Sequence, residues 1–358
     1  MGGAEKVLCN LVNNMDQTKF EITVQTVWPC SAKDYLVDGI TYRSCYPRRN
    51  ILFEYLFRLE AAVKTLYPMR IGNKSCYDIE CAFLEFAPTK IISSSTNRKS
   101  KKIAWVHCDL IQLKKDTGSN IQKCAPWYDK FHKVICVSTD VKRSFDLSYP
   151  HVTKSLVLYN VINDDVIRRK ATFPIPDTIK KKKKTLVSVG RLESQKNYLS
   201  LLHVHKLLME EGFDYDLWII GKGAQKQMLS DYIAENNLQQ SAQLLGYIEN
   251  PYPLMSIADL LVCSSKYEGF STFISEGLIL GKPIVTTDCT GMKELLGECE
   301  FGLITENSES SLYEGIKKML LNPDLCTHYA RKSQERGQQL SRGQTVSDVE
   351  NLFFELIN

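Results

Sequence analysis

At 358 residues the chain is longer than one hydrophobic core sustains, so two domains are expected. Composition is that of a soluble globular protein, 44% hydrophobic and 24% charged, and no run approaches the roughly 18 to 20 apolar residues of a membrane span. The net charge of +4 is uneven: residues 1–165 hold 23 Lys and Arg against 17 Asp and Glu (+6), leaving 22 against 24 (−2) for 166–358.

A basic first half suits an anionic partner, such as a lipid phosphate or an anionic membrane face. Nucleic acid is not expected, because no recognised binding motif accompanies the charge. Twelve cysteines run from Cys9 to Cys326 without a C-x-x-C pair. The closest, Cys76 with Cys81 and Cys289 with Cys299, lack zinc spacing, so reduced thiols and no metal site are expected. The opening residues Met1 to Asn10 show no secretory pattern, which predicts a cytoplasmic protein.

In chain order, Gly2-Gly3 opens a predicted helix, Ala4 to Met15, with no strand ahead of it. A doubly wound sheet normally begins with a central strand, so either the start is placed late or the sheet has a gap. Strands are predicted at Ile22 to Val27, Ile79 to Phe83, Ile103 to His107, Val134 to Val137 and Leu156 to Tyr159. A second series follows at Thr185 to Val189, Leu217 to Ile220, Ala242 to Leu245, Leu260 to Cys263 and Pro283 to Thr286. Helical patterns fill the gaps, among them Tyr198 to Glu211, Gln225 to Asn236 and Ser308 to Leu321. Such alternation signals βαβ units and parallel sheets.

The resulting plan has an N-terminal Rossmann-like domain at 1–165, a linker at 166–184 and a second Rossmann-like domain at 185–342. A final helix at 343–358, patterned by Val346, Val349, Leu352, Phe353 and Leu356, completes it. The linker carries Pro174, Pro176 and five lysines, Lys180 to Lys184, and reads as a solvated hinge. Two α/β domains on a hinge place a cleft between the carboxyl ends of their sheets, where ligands of such sheets bind.

Three segments carry candidate chemistry. Glu268-Gly-Phe-Ser-Thr-Phe-Ile-Ser-Glu276 follows a strand and starts a helix near Ser271, whose first-turn N–H groups and dipole form an anion site. Glu276 would lie about one and a half turns into that helix, able to bind vicinal hydroxyls. By spacing alone the segment reads first as an ordinary capped helix, with Glu268 in its approach and Glu276 on a solvated face. Gly190-Arg-Leu-Glu-Ser-Gln-Lys196 follows another strand, and Arg191 and Lys196 could hold a diphosphate, or form surface ion pairs. Ile220-Gly-Lys-Gly223 gives room for a base or ribose, and Gly246-Tyr247-Ile248 could line the base.

Taken together, Gly-Gly-Ala-Glu at 2–5, Trp-Val-His at 105–107, Gly-Arg-Leu-x-x-x-Lys at 190–196, Gly-x-Gly at 221–223 and Glu268-x7-Glu276 resemble the retaining glycosyltransferases of family 4. The resemblance spans the chain except for the absent first strand. It implies the GT-B fold, an α/β architecture of two Rossmann-like domains facing each other across a cleft, here with the first N-terminal strand missing. It further implies that Arg191 and Lys196 hold the donor diphosphate, that Glu268 contacts the transferred sugar, and that Glu276 contacts the ribose. The backbone amides of Phe270, Ser271 and Thr272 would meet sugar and phosphate. Gly2 and Gly3 would close over the phosphate, and His107 would reach the sugar, with a structural histidine as the alternative. The role of Asp109 stays open.

By the same resemblance the terminal helix crosses back to the first domain, and neither metal nor cofactor is needed. The expected reaction moves a hexosyl unit with retention from a nucleotide-sugar, UDP before GDP, to a glycan or polyprenyl-diphosphate-linked acceptor in capsule or exopolysaccharide assembly. A basic amphipathic stretch, Asn50 to Tyr67, could rest on anionic membrane at the inner face of the cell, or pack as a core helix. A sugar-nucleotide epimerase of related fold, a phosphorylase-like enzyme and a truncated inactive homologue remain as alternatives.

Overall fold

The structure, a computed structural model, describes residues 2–64, 67, 70, 77–340 and 342–358. Cys76, and positions 65 and 66 of the Asn50 to Tyr67 stretch, lie outside the described residues. The chain divides into two units, Met1–Val161 with Arg342–Asn358, and Ile162–Ser341.

The first unit opens on helix α1 (Gly3–Asn14), which buries Val7, Cys9, Leu11 and Val12, and no described strand precedes it. Strands β1 (Thr23–Thr26) and β2 (Thr41–Ser44) pair in parallel as a sheet of their own. Helix α2 (Ile51–Ala62) starts where the Asn50 side chain accepts from the Phe53 N–H at 2.9 Å, a normal N-cap. Strands β3 (Ile79–Ala82), β4 (Lys101–Val106), β5 (Lys133–Cys136) and β6 (Ser155–Val157) form a second parallel sheet in the order β3-β4-β5-β6. Helices α3 (Ala87–Ser93), α4 (Leu110–Thr117), α5 (Ala125–Tyr128) and α6 (Thr139–Ser148) connect them. Strands β1 and β3 thus belong to different sheets.

The second unit begins with α7 (Asp164–Ala171), so the segment expected as a linker from residue 166 opens as helix. Its cap and charges explain why. Asn163 accepts from Val166 N–H, Asp164 and Asp165 face the positive end of the dipole, and Arg168, Arg169 and Lys170 face the negative end. Within the lysine run, Lys181 pairs with Asp259 at 2.7 Å and Lys183 with Asp214 at 2.6 Å, which ties part of the expected hinge to this unit.

Six parallel strands follow: β7 (Thr185–Val189), β8 (Asp216–Ile220), β9 (Ala242–Gly246), β10 (Leu260–Cys263), β11 (Ile284–Thr287) and β12 (Leu303–Thr305). Their order is β12-β11-β10-β7-β8-β9, a doubly wound sheet that reverses direction between β7 and β10. Helices α8 (Tyr198–Glu210), α9 (Lys226–Glu235), α10 (Tyr252–Ile257), α11 (Thr272–Ile279), α12 (Met292–Leu296), α13 (Glu309–Leu321) and α14 (Pro323–Gln339) link and flank them. Strands β8, β10 and β11 are buried along their whole length, as parallel strands covered on both faces must be. The last helix, α15 (Arg342–Ile357), belongs to the first unit. There Asp16 N–H donates to Glu350 at 2.7 Å, and Phe353 sets its ring against Phe20 and Trp105.

Candidate functional site

In a doubly wound sheet the loops leaving the two strands at the reversal diverge and leave a crevice at the carboxyl edge. Here those loops follow β7 and β10, and both carry the charged motifs. After β7 the chain makes a short turn at Ser194–Lys196, closed by Asn197 in the left-handed region, which asparagine tolerates, before α8 begins.

Three hydrogen bonds clip this turn to the β10 loop. Ser264 Oγ donates to the Lys196 carbonyl at 2.8 Å, Lys266 N–H to the Gln195 carbonyl at 2.8 Å, and Gln195 Nε2 to the Tyr267 carbonyl at 2.9 Å. The clip brings Lys196 Nζ to 2.5 Å from Glu268 Oε1, and the same oxygen accepts from Ser265 Oγ at 2.6 Å. The side chains of Lys196 and Glu268 are only 17% and 9% exposed, so solvent screens the pair weakly. Burial alone would lower the Lys196 ammonium, but the Glu268 carboxylate outweighs it and holds the group above the ordinary lysine value.

Two glycines make room for this geometry. A Cβ on Gly190 would fall 2.7 Å from Tyr198 Oη and 3.1 Å from Lys196 Cε, so the lysine stem crosses where a side chain would stand. A Cβ on Gly221 would fall 1.8 Å from the Gly190 carbonyl oxygen, which lets the β7 and β8 loops touch backbone to backbone.

Downstream of Glu268, Ser271 caps α11, its hydroxyl accepting from the Ile274 N–H. The first-turn N–H groups of this helix start immediately beyond the buried pair, with the positive end of the dipole. Phe270 and Ser271 are buried and Thr272 half-buried. Glu276 is buried inside α11 rather than on a solvated face, and accepts from Tyr252 Oη at 3.2 Å. Arg191 is exposed and reaches Gln195 at 3.4 Å. Tyr247 is half-exposed with Lys222 Nζ 4.7 Å above its ring.

In the first unit, His107 follows β4 and is half-buried. Its backbone N–H and that of Cys108 both donate to the Glu85 carboxylate, and its Nε2 is buried without a hydrogen-bond partner among the described residues. Burial lowers its pKa, against the opposing pull of Glu85. Asp109 caps α4, accepting from Ile111 N–H, Gln112 N–H and Ser144 Oγ, which is a structural task. Gly2 caps α1 and Gly3 is its first residue.

Sequence patterns miss Ser265, Tyr252 and Glu85. The first is visible only as the polar end of β10, Ser264-Ser265, and the other two carry no local signal. Among the described residues no three His, Cys, Asp or Glu gather as a ligand set for a metal ion. No described helix is long and apolar enough to cross a membrane.

Residues 170–336 match the family described as glycosyl transferases group 1. A stretch of 212 residues is 34% identical to the N-acetylgalactosamine-N,N'-diacetylbacillosaminyl-diphospho-undecaprenol 4-alpha-N-acetylgalactosaminyltransferase of Campylobacter jejuni, covering 59% of this chain and 55% of that protein. The chain thus spans little more than half the length of that curated relative. Among solved structures, Anabaena HepE in complex with UDP-glucose superposes with a TM-score of 0.78 at 16% identity, covering 99% of this chain and 96% of that one. Sucrose-phosphate synthase from Thermosynechococcus elongatus gives 0.78 at 15%, covering 98% and 92%. At such identities the likeness shows the GT-B fold alone.

Proposed function

We propose, from the match of residues 170–336 to the glycosyl transferases group 1 family, that the chain moves a hexosyl unit from a UDP-sugar to a glycan or lipid-diphosphate-linked acceptor. The observation that carries this reading is the buried Lys196–Glu268 pair at the reversal point of the second sheet, beside the N-terminus of α11. Lys196, Arg191 and the first-turn N–H groups of α11 neutralise the departing diphosphate. Lys196 and Ser265 both engage Glu268 Oε1, and Oε2 is the oxygen assigned to the sugar hydroxyls. Glu276, steadied by Tyr252, takes the ribose hydroxyls, and the amides of Phe270, Ser271 and Thr272 contact sugar and phosphate.

In the first unit, His107 Nε2, without a hydrogen-bond partner among the described residues, is assigned to a hydroxyl of the transferred sugar, and Gly2 and Gly3 offer N–H groups to phosphate. The acceptor hydroxyl attacks the anomeric carbon on the face from which the nucleotide leaves. The anomeric C–O bond breaks, and the acceptor proton passes to the departing phosphate oxygen. Configuration is retained without an enzyme nucleophile. Protein cations carry the diphosphate charge, so the reaction is proposed to run without a metal, in cell-surface polysaccharide assembly. The lipid-diphosphate part of this reading is supported by the name of the Campylobacter jejuni relative.

Purified protein incubated with a panel of UDP- and GDP-sugars provides the test, with nucleotide release as the readout. Release from a UDP-sugar, lost in Lys196→Ala and Glu268→Ala and unchanged by EDTA, is the expected result. A folded protein that neither binds nor turns over any donor overturns the reading.

A further inference from the structure

Helix α2 shows its apolar side to solvent. Its inward face is already satisfied: Phe53, Leu56, Phe57 and Ala61 pack on Cys45, Tyr46, Tyr67 and Ile91. Glu60, on the same side, is held by Tyr46 Oη at 2.7 Å and Arg70 at 3.0 Å. The opposite face carries Ile51, Leu52, Tyr55, Leu59 and Val63, exposed by 89%, 62%, 65%, 48% and 59%. At 100° per residue these five fall within about a third of the circumference, a continuous stripe. Single exposed apolar residues are ordinary, but a continuous stripe rimmed by charge marks a surface that something covers.

The rim says what covers it. Arg48, Arg49, Arg58 and Lys64 are exposed around the stripe. Segment 47–64 holds two carboxylates, and neither offsets that charge: Glu60 is buried, and Glu54 is taken by Arg49 at 2.7 Å. A second copy meeting this face through a two-fold axis would set arginine and lysine against the same residues. An anionic bilayer accepts both parts of the face together.

We propose that the outer face of α2 docks the first unit on anionic phospholipid. Ile51, Leu52, Tyr55, Leu59 and Val63 enter the boundary between headgroups and acyl chains, while Arg48, Arg58 and Lys64 meet headgroup phosphates. This inference stands on the first unit alone and does not depend on which donor the second unit binds.

Flotation of the full chain with phosphatidylcholine vesicles, with and without phosphatidylglycerol, at low and high salt, tests it. Wild type is expected to float with the anionic vesicles and to release in part at high salt. Each basic residue replaced in Arg48→Gln, Arg58→Gln and Lys64→Gln weakens binding about fivefold. Leu52→Gln/Tyr55→Gln/Leu59→Gln abolishes flotation at both salts, with the melting transition kept because these side chains point outward. A Tyr55→Trp variant supplies a readout independent of those substitutions: its emission shifts to the blue on anionic vesicles. Wild type that stays in solution, or an apolar variant that floats as wild type does, overturns the proposal. So does sedimentation showing that the stripe mediates self-association or holds another protein instead.

Discussion

Lys196 and Glu268 illustrate why a buried ion pair must be judged by what remains when one partner leaves. Lys196→Met leaves the Glu268 carboxylate without its cation and with the Ser265 hydroxyl at Oε1, and breaking such a pair costs about 3–5 kcal/mol. Adding Glu268→Gln to that variant removes the stranded charge. Urea melts are expected to show most of the stability regained while nucleotide release stays lost; equal stability of the single variant and wild type would contradict the argument. The raised pKa of Lys196 sets the sign of its pH dependence. Its contribution is full below the ordinary value of 10.5 and fades only as pH climbs through the still higher folded value, so donor binding varies little through this lysine between neutral and mildly alkaline pH. At Gly221, alanine would press Cβ into a backbone oxygen that cannot rotate away. Gly221→Ala is expected to cost about 1–3 kcal/mol in thermal unfolding and to weaken donor binding by displacing the β7 loop.

Helix α8 carries a buried titrating group the reaction does not use. His205 is 1% exposed, bonded through Nε2 to Ser241 Oγ at 2.8 Å, with its ring edge-on to Tyr215. Burial, then the Lys183 charge, lowers its pKa from 6.5 to about 4. The folded state therefore prefers neutral His205, a contribution that is full above 6.5 and lost as pH falls toward 4. It amounts to roughly 3 kcal/mol. His205→Phe is expected to flatten that acid limb in stability measured against pH; an unchanged slope would assign the acid sensitivity elsewhere. Legibility at this scale follows burial. Strands β7 and β10 stand where their apolar runs predict, because central parallel strands are apolar on both faces. Edge strands β2 and β12 have no such runs, and the charged α7 reads as linker because its residues answer a helix dipole rather than a core. The site divides the same way. Lys196, Glu268 and Glu276 sit in motifs of fixed spacing, whereas the hydrogen bond from Tyr252 to Glu276 crosses 24 positions and exists only in the folded unit.

Across the whole molecule, the second unit is one continuous run of chain, with its own core around Leu186, Leu217, Leu260 and Ile316. The first is interrupted, and α15 supplies Val346, Val349, Leu352 and Phe353 to its interior. Four such side chains, at about 1.5–3 kcal/mol each, rival the 5–15 kcal/mol that holds a typical domain. Deleting residues 342–358 is expected to abolish cooperative melting of the first unit while the second keeps its transition, and residues 162–341 expressed alone should melt cooperatively; loss of both transitions would contradict this division. The interruption also sets an order of events during synthesis. Domains commonly fold as they emerge, the earlier before the later. Here the earlier unit waits for α15, which is made only after residues 162–341, so the second unit can finish first. Throughout that interval the growing chain holds open the apolar seat of Phe20 and Trp105, a surface on which chaperones act.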